Sequence, residues 1–158
     1  MIQTVQIACE SPNQPDVITL IERLDAYQSA LYPAESNHFV DIAALARPNV
    51  LFAVARDGTG SAVGCGAIVL EADHGEIKRM FVCESWRGRG LSRRLLSFLE
   101  HAARERGCTS LRLETGIHQP EALGLYARAG FMRRGPFGSY REDPLSVFME
   151  KNLEADRQ

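Results

Sequence analysis

Residues 76–107 join three patterns that together restrict the fold more than any other part of the chain. Residues 77–82 have the length and the composition of a β-strand. The turn at residues 87–90 reads Arg-Gly-Arg-Gly, and a helix with one apolar face follows it. The residues of that face are Leu91, Leu95, Phe98, Leu99 and Ala102. A strand, a glycine-rich turn and a helix in this order point free backbone N–H groups at an anion, usually a phosphate.

The turn and the start of the helix are also strongly basic. Residues 87–94 contain four arginines and no acid, whereas the whole chain has a formal net charge of −2. The helix dipole disfavours a cation in the first helical turn by roughly 0.3–1 kcal/mol. The cluster therefore favours a polyanionic ligand, and solvated arginines on an exposed face are the alternative. Its members are Arg87, Arg89, Arg93 and Arg94.

Two common phosphate-binding motifs do not fit this turn. A P-loop requires Gly-Lys-Ser/Thr, but Gly90 is followed by Leu91 and Ser92. A dinucleotide-binding fingerprint requires a third glycine or an alanine, and Arg93 occupies that position. The turn therefore indicates another class of phosphate-binding site.

The composition predicts one globular domain at residues 1–154, followed by a frayed tail at residues 155–158. Of the 158 residues, 45% are hydrophobic, which is enough to bury a core, and no apolar run reaches transmembrane length. The four cysteines and four histidines are scattered, so neither a metal site nor a disulfide framework is indicated. The net charge argues against general nucleic-acid binding. We expect a cytoplasmic protein without a nucleic-acid or membrane partner.

Local patterns order the elements as β-α-α-β-β-β-α-β-α-β-β. Asp41 is the expected N-cap of a short second helix, and Gly107 and Gly130 are expected to end the third and fourth helices. Gly64 and Gly66 indicate a central strand that other chain segments approach closely. The predicted strands are residues 4–9, 49–56, 61–71, 76–82, 110–115, 131–134 and 145–151, and the predicted helices are residues 15–32, 42–46, 91–106 and 120–129.

The turn does match the pattern Arg/Gln-x-x-Gly-x-Gly/Ala at residues 87–92, with Ser92 as the final small residue. This resembles the pyrophosphate loop of the GNAT superfamily of acyl-CoA-dependent N-acyltransferases. The strand at residues 110–115 and the segment from Ala122-x-x-x-Tyr126 to Gly130 match that family in order and spacing. Strings such as KRMFV and RLETG are similar to those of small bacterial acetyltransferases of uncertain substrate.

The resemblance covers most of the chain and implies an α+β (α/β) architecture, the GNAT fold. That fold has a central mixed, mostly antiparallel sheet of about six or seven strands, flanked by about four helices. It also has a splay between the fourth and fifth strands, which here would lie near Val82 and Leu113.

The resemblance further implies that acetyl-CoA is the acyl donor and that no metal takes part. The strand at residues 80–82 would pair by its backbone with the donor, and the turn would hold the pyrophosphate. Gln119 stands where the family commonly has asparagine. The donor-binding residues implied are Met80, Phe81, Val82, Arg87, Gly88, Arg89, Gly90, Leu91, Ser92 and Gln119.

Two residues match catalytic positions of the family. Tyr126 matches a tyrosine that protonates the leaving thiolate, and packing in the core is the alternative for it. Glu76 matches a glutamate that acts as general base in some members, with Glu114 as a rival. Either carboxylate could instead pair with an arginine such as Arg79 or Arg112. Because no serine–histidine or cysteine–histidine arrangement has useful spacing, we expect direct transfer without an acyl-enzyme.

Two irregular loops would flank the acceptor. Their acidic and aromatic residues suit a cationic amine. The implied function is transfer of an acetyl group to a primary amine of a small molecule or to an exposed amino group. A non-catalytic acyl-CoA-binding or sensing domain is the alternative, and assembly as a homodimer stays open. The loop residues concerned are Glu35, His38, Asp41, Tyr140, Glu142 and Asp143.

Overall fold

The computed structural model describes residues 4–33 and 41–154. In these ranges seven strands form one sheet in the order β1-β2-β3-β4-β5-β7-β6. The strands are β1 (Gln6–Cys9), β2 (Val50–Arg56), β3 (Ala62–Leu70), β4 (Gly75–Val82), β5 (Ser110–Gly116), β6 (Met132–Arg134) and β7 (Ser146–Asn152). The helices are α1 (Pro15–Leu31), α2 (Ile42–Leu45), α3 (Leu91–Glu105) and α4 (Pro120–Arg128). The element order and the fold class predicted from the sequence are confirmed.

The sheet is antiparallel except between β4 and β5. These two strands run parallel and pair only at Gly75 with Leu111, Glu76 with Arg112 and Ile77 with Leu113. β4 continues to Val82, whereas β5 stays paired with β7 along its whole length. The two strands therefore separate after Ile77, and the predicted splay between the fourth and fifth strands is present.

Helix α3 packs against the middle of the sheet because β3 has two glycines there. A Cβ atom on Gly66 would lie 2.9 Å from Cδ1 of Leu99, and one on Gly64 would lie 3.1 Å from Cδ1 of Leu95. Both leucines are fully buried, and such burial stabilises the fold by about 1.5–3 kcal/mol for each side chain. The predicted close approach at these glycines is confirmed.

Helix α3 covers one face of the sheet, and the side chain of Glu76 points to the other. On β7, Lys151 lies opposite Leu111, and its Nζ donates to Oε1 of Glu100 in α3 at 2.8 Å. Helix α3 therefore covers the Leu111 face. Because successive side chains alternate, Arg112 and its parallel partner Glu76 point to the opposite face.

The predicted helix ends agree with the structure. The Asp41 side chain accepts a hydrogen bond from Ala44 N at 2.8 Å and so caps α2. Gly107, with φ +83°, follows the last turn of α3. The structure describes no helix that is long and apolar enough to cross a membrane. The predicted tail at residues 155–158 lies outside the described residues.

Candidate active site

The turn before α3 has the backbone geometry of an anion site. Gly88 and Gly90 have φ angles of +77° and +78°, which side-chain-bearing residues rarely adopt, and a Cβ on either would have no neighbour within 4 Å. The first intrahelical bond runs from Arg94 N to the Gly90 carbonyl at 3.1 Å. The N–H groups of Leu91 and Ser92 therefore make no intrahelical bond, and no acid lies in the first turn. These groups fit a pyrophosphate.

The four arginines around this turn have different neighbours. Arg93 is exposed. The guanidinium of Arg87 lies 5.6 Å from the rings of both Tyr27 and Phe81, and that of Arg89 lies 4.9 Å from the Trp86 ring. The other member of the cluster, at position 94, donates to a backbone carbonyl just before β1 at 3.0 Å. One of the four arginines that were predicted to bind an anion therefore makes a hydrogen bond within the protein itself.

The predicted donor-binding strand lies at the splay. Beyond Ile77, β4 pairs only with β3, so residues 80–82 have no β5 partner. One edge of this backbone is thus available to another extended chain. The Val82 carbonyl already accepts a hydrogen bond from Nε of Arg87 at 3.2 Å. This bond connects the turn at residues 87–90 to the end of β4.

β4 contains a bulge beside the splay. Cys65 pairs with Phe81 and Ala67 with Lys78, so two residues of β4 oppose the single residue Gly66. The first of the two, Arg79, has a φ angle of 60°, and it is the one non-glycine residue with positive φ in the described part of the chain. The bulge therefore changes the direction of the strand where the donor is expected.

Tyr126 lies on α4, which ends on the face that carries α3: a Cβ on Gly130 would lie 3.6 Å from Cε of Lys151. The Tyr126 side chain is 5% exposed, and its ring packs at 5.5 Å against that of Phe131. Burial raises the pKa of its hydroxyl above the ordinary value, and the protonated phenol can donate a hydrogen bond. The predicted acid and the predicted base, Glu76, thus lie on opposite faces of the sheet.

Gln119 precedes α4 and is engaged in holding the chain there. Its Oε1 accepts from Gly116 N at 3.3 Å and from the Tyr32 hydroxyl at 3.4 Å. The same hydroxyl accepts from His118 N at 3.0 Å. These bonds connect the end of α1 to the start of α4.

Glu76 lies in a polar cluster with Lys78 and Tyr140. The Tyr140 hydroxyl donates to Oε2 of Glu76 and accepts from Nζ of Lys78 at 2.7 Å. Nζ of Lys78 is also 3.2 Å from the same carboxylate oxygen, and the Glu76 side chain is 14% exposed. Burial, followed by the neighbouring Glu76 carboxylate, raises the pKa of Tyr140, so that its hydroxyl keeps its proton. The cation that lies next to Glu76 is thus Lys78, a lysine and not an arginine.

Glu114, the rival base, lies on the same face of β5 as Arg112. Its Oε2 accepts from the Ser146 hydroxyl at 2.7 Å. Arg79, one of the two arginines considered as partners, pairs with Asp25 of α1 instead. The other, Arg112, has its Nε 3.7 Å from Oε1 of Glu150.

A groove of about 920 Å³ adjoins Glu76 and Lys78. The loop between β6 and β7 forms one wall, through residues 137–143, and residues 71–74 form another. Predicted acceptor residues Tyr140, Glu142 and Asp143 all line it. Of the other predicted ones, Asp41 caps α2, and positions 35 and 38 lie outside the described residues.

Aromatic rings close the inner end of the groove. Phe137 packs at 5.1 Å against Tyr140 and at 5.9 Å against Phe148 of β7. The Tyr140 and Phe148 rings are also 5.5 Å apart. These contacts pack the Tyr140 ring, whose hydroxyl donates to Glu76.

Sequence reasoning missed two residues near the site, one within α1 and one directly after it. Tyr32 marked only the end of a helix in the sequence, and Asp25 carried no signal. Their partners, Gln119 and Arg79, are 87 and 54 residues away along the chain. In residues 4–33 and 41–154, no three His, Cys, Asp or Glu side chains come together as a metal site would require.

Comparison with known proteins agrees with this geometry. The profile of the Acetyltransferase (GNAT) family matches residues 17–131. An IAA acetyltransferase of Azospirillum brasilense is 52% identical over 151 residues, which cover 94% of this chain and 98% of that protein.

Solved structures show the same fold. A Klebsiella pneumoniae structure assigned to the acyl-CoA N-acyltransferases is 42% identical, with a TM-score of 0.81 over 95% of this chain and 98% of that one. The PaiA N-acetyltransferase of Thermoplasma acidophilum, solved in complex with coenzyme A, has a TM-score of 0.72 at 16% identity. It covers 94% of this chain and 99% of that one, and it shares the fold.

Proposed function

Because the chain belongs to the GNAT family of acetyltransferases, we propose that it transfers an acetyl group from acetyl-CoA to a primary amine by direct attack. The amine belongs to a small molecule or is an exposed amino group. One observation supports this most: the glycine turn that begins α3 and a carboxylate-lined groove lie on opposite faces of the sheet, next to the strands that separate after Ile77. A donor and an acceptor can therefore meet between β4 and β5.

On the donor side, backbone groups do most of the binding. The N–H groups of residues 88–92 hold the pyrophosphate, and Arg87 and Arg89 add positive charge. The unpaired edge of β4 at residues 80–82 aligns the rest of the donor. When bound, acetyl-CoA supplies an acetyl thioester, which an amine can attack.

On the acceptor side, Glu76 receives a proton. An alkylamine with a pKa near about 10 is almost wholly protonated at neutral pH and cannot attack until it loses that proton. Glu76 lines the groove, and a hydrogen bond from Tyr140 together with the charge of Lys78 holds its carboxylate in one orientation. A fixed carboxylate beside the entering amine fits a general base.

Tyr126 supplies the proton that the leaving sulfur needs. The phenol carries its proton at physiological pH, as a tyrosine with an ordinary pKa of about 10 also does, and burial raises that pKa further. Donation of this proton by a positioned group lowers the barrier for expulsion of a thiolate. No side chain of the chain is acylated in this scheme, so the transfer is a single displacement.

The groove favours a cationic acceptor. Five carboxylates line it, from Glu71, Asp73, Glu76, Glu142 and Asp143, against the cations of Lys78 and Arg141 and one histidine, His74. A small amine with a second positive charge fits such a wall better than an anionic one.

The test is release of free thiol from acetyl-CoA with a panel of mono- and diamines, amino-terminal peptides and IAA, for which the Azospirillum relative is named. We expect acceptor-dependent release with at least one amine, and mass spectrometry should find the acetyl group on its nitrogen. Incubation without an acceptor measures background hydrolysis. If acetyl-CoA binds but no amine raises thiol release above that background, an amine acceptor is wrong.

A further inference from the structure

The bulge in β4 has an unusual residue at its first position. Arg79 and Met80 together oppose Gly66, and Arg79 adopts a φ angle of 60°. In bulges whose first residue is left-handed, that residue is ordinarily glycine, because a Cβ there approaches the following carbonyl. Each side-chain-bearing residue in this conformation is disfavoured by roughly tenfold or more in population. Something outside β4 must therefore hold it.

The Arg79 side chain is itself held from α1. The Arg79 side chain is 5% exposed, and it forms an ion pair with the Asp25 side chain, which is 35% exposed. The Arg79 carbonyl accepts a hydrogen bond from Sγ of Cys65 at 3.3 Å. Gly66 makes room beneath the bulge, since a Cβ there would collide with Sδ of Met80. Side chain and backbone of Arg79 are thus fixed by separate partners.

The bulge lies where its geometry matters for transfer. β4 and β5 stop pairing at Ile77, two residues before Arg79, and residues 80–82 follow directly. A change in the dihedral angles of Arg79 would turn the peptide that carries the Met80 N–H. The direction of the backbone groups at the splay therefore depends on one strained residue.

We propose that the Asp25–Arg79 ion pair holds the β4 bulge in its left-handed conformation, which makes Asp25 a positioning residue for acetyl transfer. The kinetic part of this inference rests on the proposed function, whereas the conformational part does not. Helix α1 then does more than cover the sheet: it sets the backbone of the strand that faces the donor.

The first test is amide hydrogen exchange of the whole folded protein, measured without any substrate. The exchange at β4 is read in a peptide that spans this strand and is released by digestion after labelling. We expect Asp25→Asn to speed exchange at residues 78–82 at least tenfold. The matched control is Asp16→Asn, which removes an ion pair of the same helix, with Arg56 at 2.6 Å, far from the bulge. Equal exchange at β4 in the two variants would overturn the proposal.

The second test compares two substitutions of the strained residue. Arg79→Gly loses the ion pair but adopts positive φ without cost, whereas Arg79→Ala loses the pair and keeps the strain. We expect the glycine variant to retain at least fivefold more kcat than the alanine variant. If Arg79 only filled space, the glycine variant would have the lower kcat of the two, because glycine usually destabilises a strand. That result would contradict the inference.

The kinetic readout separates this inference from the proposed function. We expect Asp25→Asn to lower kcat about tenfold while the acetyl-CoA dissociation constant changes less than threefold. If the wild type shows no amine-dependent turnover, the proposed function fails, and the exchange experiment still decides the role of the ion pair. Wild-type turnover in Asp25→Asn would remove Asp25 from the positioning residues.

Discussion

The donor side and the acceptor side of the splay are built in different ways. The donor side is a run of neighbouring residues, 87–92, whose two left-handed glycines and helix start present backbone N–H groups. The acceptor side is made of side chains that are distant in sequence. Tyr140 lies 64 residues from Glu76 and 62 from Lys78, and its hydroxyl touches both.

This difference has a chemical consequence. A site made of backbone groups keeps its ligand through many changes of side chain, as long as the turn keeps its conformation. A site made of side chains from separate elements changes its ligand with each substitution. We therefore expect donor binding to depend on the glycines, and acceptor choice to depend on the loop that carries Tyr140.

The largest expected effect is on the donor side. Gly90→Glu places a carboxylate beside the pyrophosphate, and close like charges cost several kcal/mol. We expect acetyl-CoA binding, measured by calorimetry, to weaken by about 10³-fold. Gly60→Glu is the matched control, because Gly60 also has positive φ, +86°, and no neighbour within 4 Å of its Cβ position. Unchanged binding in folded Gly90→Glu would show that the pyrophosphate lies elsewhere.

A second expected effect separates acid catalysis from donor binding. Tyr126→Phe keeps the ring that packs against Phe131 and removes only the hydroxyl. We expect kcat to fall about 10²-fold, the low end for general acid catalysis, with acetyl-CoA affinity nearly unchanged. Steady-state kinetics and calorimetry on the same preparation measure both. Full turnover in this variant would leave Tyr126 with a packing role alone.

A smaller effect is expected on the acceptor side. The groove is open to solvent, so water can take the amine proton slowly when the carboxylate is absent. We expect Glu76→Gln to lower kcat/KM for the amine about tenfold near pH 7 and less at high pH, where more of the amine has already lost its proton. Tyr140→Phe, which keeps Glu76 but removes its hydrogen bond, should lose less activity. A pH profile of unchanged height and shape in Glu76→Gln would show that Glu76 is not the base and that Glu114 or solvent takes the proton.

The smallest expected effect concerns stability at high pH. Burial raises the pKa of both Tyr126 and Tyr140 above the value of about 10 found in an unfolded chain. Above that pH the unfolded state releases these protons first, so the free energy of unfolding falls as the pH rises. When the pH is raised from about 8 to about 10.5, the free energy of unfolding of Tyr126→Phe should fall by about 1 kcal/mol less than that of the wild type. Urea titrations at the two pH values measure this difference. Tyr140→Phe should show a similar difference, because burial and the neighbouring Glu76 carboxylate also raise the pKa of Tyr140.

Much of the fold could be predicted because its signals are local. The alternation of strands, the apolar face of α3 and the glycines at positions 90 and 107 act within a few residues of themselves. The splay followed from resemblance, and the parallel pairing that ends at Ile77 shows it. The roles of Tyr126 and Glu76 stay predictions.

The sequence by itself determined the backbone geometry of the turn before α3, because left-handed glycines and a helix start produce the same N–H geometry in any chain that folds locally in this way. Only the tertiary structure decided which groups surround Glu76 and what holds Arg79. Asp25, Lys78 and Tyr140 meet their partners through the packing of α1 and of the β6–β7 loop on the sheet. Local preference opposes a left-handed arginine, so no short stretch of sequence could indicate it. The contacts that stabilise it come from a helix 54 residues away.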